Sequence, residues 1–105
     1  MISLDKVYKF VNKPFGGSHP RVLGVVCEDL VQAKDVFDHL FRWALNHGAD
    51  VSTYPGKGML GFKNCRVYVT CADGYKNCMG MKFDDLVFDS EVGGRSKLLF
   101  GTRLF

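Results

Sequence analysis

The chain has 105 residues, a formal net charge of +3 and a composition that is 47% hydrophobic and 24% charged. That length leaves room for one core and excludes two, and the composition excludes a disordered chain. The small positive balance permits a nucleic-acid or acidic protein partner and demands neither. No apolar run approaches the ~18 residues of a membrane helix, and the start, Met1-Ile2-Ser3-Leu4-Asp5-Lys6, lacks the basic and apolar stretches of a signal peptide. A cytoplasmic location is expected, with Cys27, Cys65, Cys71 and Cys78 as reduced thiols.

Leu4, Val7, Tyr8 and Val11 recur at helical spacing behind Ser3, a candidate cap, and Pro14 stops the pattern. A short amphipathic helix is predicted, with a strand as the alternative. Phe15 to Pro20 is a loop. Arg21 to Cys27 is a continuous apolar strand of the kind buried on both faces. Asp29 and Gln32 have the spacing of a reciprocal helix cap. Behind them Leu30, Ala33, Phe37, Leu40, Phe41 and Ala44 trace one stripe, with Lys34, Asp38 and Arg42 opposite and Gly48 ending the helix.

Asp50 to Tyr54 reads as a strand, Pro55 to Gly58 as a turn and Met59 to Phe62 as the returning strand. Lys63-Asn64 is a second tight turn. Cys65 to Cys71 alternates strictly, with Cys65, Val67, Val69 and Cys71 inward. Asp73 to Gly80 is a loop or a single helical turn. An apolar strand then runs from Asp85 to Asp89. Gly93-Gly94 is expected to be a flexible break, and Lys97 to Phe105 a last short strand or a helix start. The predicted fold is α/β: a small, mostly parallel sheet with an antiparallel hairpin, flanked by one long helix and one or two short ones.

Several groups carry candidate chemistry. Asp84, Asp85 and Asp89 are a cation site or, more blandly, solvated strand-end and turn-capping acids. Cys27 ends a strand just before a helix N-terminus, a position that can lower a thiol pKa; the alternative is an inert buried thiol. The cysteines and His19, His39 and His47 lack the tight pairs of a metal site. Trp43 is expected to pack the helix. Lys57, Lys63, Arg66, Tyr68, Tyr75, Lys76 and Lys82 form a basic and aromatic group of the type that takes single-stranded nucleic acid.

The segment Gly80-Met81-Lys82-Phe83-Asp84-Asp85-Leu86-Val87-Phe88-Asp89-Ser90 resembles the Walker B segment of the ATPase domain of phage large terminase subunits and, more loosely, of helicases. The resemblance covers roughly Arg21 to Glu91 and implies a trimmed RecA-like core. Carried over by position, Asp89 matches the Mg²⁺-ligating aspartate, and Ser90 stands where the family has its catalytic glutamate. Glu91 follows one residue late, and such a slip turns a strand side chain to the other face.

A phosphate loop needs glycines, a lysine and a hydroxyl in fixed order. Gly16-Gly17-Ser18-His19-Pro20 lacks Gly-Lys-Ser/Thr. Pro55-Gly56-Lys57-Gly58-Met59 lacks the hydroxyl. Gly93-Gly94-Arg95-Ser96-Lys97 comes after the Walker B-like strand. The resemblance therefore implies a non-catalytic, phage-type binding protein without a cofactor, acting in the host cytoplasm by contact with a nucleic-acid machine. Trimming leaves apolar surface to cover. The apolar C-terminus, Leu98, Leu99, Phe100, Leu104 and Phe105, fits a homodimer or a protein partner. Two alternatives stand beside this: a Mg²⁺-dependent nucleotide or phosphoester hydrolase using Asp89 with Asp85 or Glu91, and a nucleic-acid-binding module.

Overall fold

The computed structural model describes residues 4–13, 21–72, 82–89 and 92–102. In chain order these form α1 (Asp5–Asn12), β1 (Arg21–Cys27), α2 (Leu30–Asn46), β2 (Val51–Tyr54), a 3-10 turn (Pro55–Lys57), β3 (Met59–Phe62), β4 (Cys65–Cys71), β5 (Asp85–Phe88) and α3 (Gly94–Gly101). The five strands make one sheet in the order β2-β3-β4-β1-β5. β1 is parallel to both β4 and β5, whereas β3 is antiparallel to both β2 and β4. The α/β class holds, with a mixed sheet whose antiparallel part extends over three strands.

Strand alternation sorts the side chains onto two faces. One face carries Leu23, Val25 and Cys27 of β1, Cys65, Val67 and Val69 of β4, Leu60 of β3 and Val87 of β5. They pack with Val7 and Phe10 of α1 and Ala33, Val36 and Leu40 of α2 in the main core. On the other face Val26, Phe83, Leu86, Val92 and Phe100 form a smaller core under α3.

α2 begins as its sequence foretells. The Asp29 carboxylate accepts from the Gln32 backbone N–H at 2.8 Å, and the Gln32 side-chain oxygen accepts from the Glu28 N–H at 2.8 Å. Gly48, at φ +68°, follows the last turn. The buried stripe is Ala33, Val36, Leu40 and Ala44, with Phe37 and Phe41 partly buried against the core, so of the expected stripe only Leu30, 60% exposed, falls outside it. Leu30 is the first helical residue and lines a cleft beside the sheet, so burial starts one turn later.

Trp43 stacks on Tyr8 of α1 with centroids 4.5 Å apart. The Tyr8 hydroxyl and His39 Nε2 lie 3.0 Å apart. These contacts join α1 to α2. The residue before α1 is Leu4, which makes no side-chain cap; the candidate cap Ser3 lies outside the described residues. Gly93-Gly94 is not a break. Gly93 is the N-cap and Gly94 the first residue of α3, which settles the alternatives for this end in favour of a helix.

Candidate functional site

Two adjacent parallel strands send their following helices to opposite faces. β1 leads to α2 over the main core, and β5 leads to α3 over the smaller one. In open α/β sheets the crevice at such carboxyl ends is where ligands bind. Here Cys27 and Asp89 stand at those carboxyl ends. The Asp89 N–H donates to the Val26 carbonyl at 2.9 Å, one step past the Val26–Phe88 pair, and Cys71 is in register with Cys27 on the other side. Two thiols and a carboxylate thus form a row across three strands, ~4.8 Å apart from strand to strand.

That row is closed. Cys27 is fully buried and Asp89 is only 1% exposed. Burial chiefly, then the charges of Asp89, Cys71 and Asp29, push the Cys27 thiol up to about 12. Of the two readings of Cys27, burial supports the inert thiol over one activated by the α2 N-terminus. The helix terminus already holds the Asp29 carboxylate, so its N–H dipoles stabilise that acid instead of a thiolate. Burial also raises Cys65, to about 11.

These two thiols should set an alkaline limit. A thiol protonated in the fold loses its proton near pH 9 once the chain opens. The unfolded state then binds fewer protons, and stability falls as pH rises from about 9 toward 11–12. Urea midpoints measured from pH 8 to 11 should decline. A Cys27→Ala/Cys65→Ala variant, though less stable, should show a flatter decline. Equal slopes would contradict the thiol assignment.

The Walker B-like acids are not gathered. Asp85 begins β5 and Asp89 follows its end, about 13 Å apart at four strand rises. Asp85 is exposed and accepts from the Leu86 N–H at 2.8 Å. Asp84 is structural. Its carboxylate accepts from the Val22 N–H at 2.7 Å and its own N–H donates to the Val22 carbonyl at 2.8 Å, which clamps the start of β1. Ser90 and Glu91 lie outside the described residues. Among the described residues no three His, Cys, Asp or Glu side chains converge as a metal site.

The basic group divides. Lys57 lies in the 3-10 turn and Lys63 in the β3–β4 turn, at opposite ends of β3, and both are exposed. Arg66 and Tyr68 share one face of β4. The Lys82 ammonium donates to the Thr102 carbonyl at 3.2 Å, so it is engaged at the C-terminal end of α3. Tyr75 and Lys76 lie outside the described residues. The apolar C-terminal group divides too. Phe100 is fully buried, whereas Leu98 is 75% and Leu99 38% exposed; Leu104 and Phe105 lie outside the described residues. Two surface residues escaped the sequence reading, Tyr54 and Met59. The Ser52/Tyr54 alternation was the available signal, but its direction depends on strand order.

No family model, characterised protein or solved structure matches this chain. The likeness to terminase ATPases therefore remains a reading of the residues. Among the described residues, no helix is long and apolar enough to cross a membrane.

Proposed function

We propose that this chain is a non-catalytic, phage-type binding protein that acts by contact with another protein of a host or viral nucleic-acid machine. The observation that carries the reading is the turn between β1 and α2. A nucleotide hydrolase presents glycines and bare N–H groups at such a turn. This chain presents Glu28 and Asp29, with the Asp29 carboxylate already accepting from the Gln32 N–H and the Gln32 side chain accepting from the Glu28 N–H. Triphosphate meets two acids there, and Asp89 is walled off beside them. The phage assignment rests on the sequence resemblance alone.

The exposed Leu98 and Leu99 of α3 supply apolar contact surface beside a helix that Phe100 anchors. Purified protein should form a defined dimer, or hold one stoichiometric partner from bacterial lysate that Leu98→Glu/Leu99→Glu no longer holds. A wild-type monomer that retains nothing would end this reading. Heat on titration with Mg²⁺-ATP, abolished in Asp89→Ala, would favour the hydrolase alternative.

A further inference from the structure

The geometry points to a second surface, on the half of the sheet that no described helix covers, that binds single-stranded nucleic acid. It goes beyond the protein-contact reading and uses other residues than the α3 leucines. Strand register builds it. Tyr54 is opposite Met59 and Met59 is opposite Tyr68, so β2, β3 and β4 place these three in one row on one face. The next row on that face is Ser52, Gly61 and Arg66. The core under α3 takes up Val22, Val26, Leu86 and Phe88 on the β1–β5 half of this face and, among the described residues, reaches no farther than Tyr68 of β4 and the adjoining Ala72.

The first row is aromatic and the second carries a cation. Tyr54 is 48% exposed and Arg66 is exposed. Tyr68 is half-buried, and its ring is held edge-on against Phe83 with centroids 6.3 Å apart. Gly61 adds no side chain between Ser52 and Arg66, and the Tyr54 ring edge lies 4.0 Å from where a Cβ would stand. The result is a shallow floor flanked by a ring and a guanidinium.

Within β2, β3 and β4 the charged residue is Arg66, and no carboxylate lies in those strands. Lys57 and Lys63 add charge at the two ends of β3. The nearest acid along the Arg66 row is Asp84, beyond β1 and engaged by the Val22 N–H.

Aromatic rings on an open sheet stack with unpaired bases, and nearby cations pair with the phosphates that join them. A flat sheet face has no helix or ribbon to enter a duplex groove. Single strands are therefore the occupant that the shape and charge complement.

Fluorescence anisotropy with a roughly twenty-nucleotide labelled thymidine oligomer tests this. Binding should appear at about 50 mM salt and weaken as salt rises, with a log–log slope of about −0.7 per phosphate contact. Arg66→Glu and Tyr54→Ala should each weaken it roughly tenfold, and Tyr54→Phe should restore it because the ring stacks without its hydroxyl. Lys9→Glu, an equal charge change on exposed α1, should leave it unaltered, as should Leu98→Glu/Leu99→Glu, which separates this surface from the protein contact. Circular dichroism checks that each variant is folded.

Absence of binding at low salt would overturn the proposal. So would duplex binding of equal strength, or equal losses in Lys9→Glu and Arg66→Glu. Competition by polyglutamate as effective as that by the oligomer would overturn it in favour of an acidic protein partner.

Discussion

Phe100→Ala is expected to lower the unfolding free energy by about 3–5 kcal/mol, the usual cost of emptying a fully buried phenylalanine site. Phe100 has no exposed surface, and its ring meets Phe88 edge-on with centroids 6.5 Å apart. It packs in one cluster with Val26, Phe83, Leu86 and Val92. α3 has only eight residues, and its N-cap glycine supplies no side-chain bond. A helix that short does not stand alone in water. Its attachment to β5 therefore depends on this ring. Leu98→Ala, one turn-face away and exposed, should change stability by no more than about 0.5 kcal/mol. Urea denaturation of the two variants measures the contrast. A Phe100→Ala protein with an unshifted midpoint and a lost oligomer would return Phe100 to the contact surface with its neighbours.

Gly58→Ala should cost about 3 kcal/mol or more, for two reasons that add. Gly58 ends the 3-10 turn at φ +63°, a left-handed conformation that costs an L-residue about 1–2 kcal/mol. A Cβ there would also be driven into the Val69 carbonyl oxygen, which is backbone and cannot rotate away. The turn cannot retreat without loss, because the Val69 N–H donates to the Gly58 carbonyl at 2.7 Å. Gly48 provides the control. It has φ +68° but nothing within 4 Å of its would-be Cβ. Gly48→Ala should carry the conformational cost of about 1–2 kcal/mol alone. Thermal melts of both variants should differ, with Gly58→Ala the lower. Equal melting temperatures would mean that the β4 contact does not matter.

Local signals carried most of the fold. The α2 cap could be read because Asp29 and Gln32 act on backbone three residues away, and the end at Gly48 because one residue must turn left-handed. The inward set of β4 could be read because alternation needs no knowledge of neighbours. What depends on distant pairing could not. Strand order decides that Tyr54 and Arg66 share an open face, and nothing within β2 reports that order. Val36 belongs to the core while Leu30 lines an open cleft beside β4, and the helical stripe alone does not report which turn meets the sheet.

The Walker B-like acids show the same limit from the other side. A run of Asp84, Asp85 and Asp89 looks clustered in the sequence, yet an extended strand holds its two ends far apart. Position four residues on marks proximity only in a helix. Phe100 looked equivalent to Leu98 and Leu99 for a related reason, since an apolar triplet contains both the anchor and the outward face of a helical turn.

The placement of β1 bears on how the chain acquires its structure. Both neighbours of this strand come later, with Arg21 opposite Cys65 and Leu23 opposite Asp85. While the ribosome delivers α2, β2 and β3, this apolar strand, buried from Leu23 to Cys27 in the finished fold, has no ladder to join. Such distant closure slows folding, and sticky intermediates are the usual consequence. Synthesis stalled before β4 would leave β1 as the first segment to recruit chaperones or to aggregate.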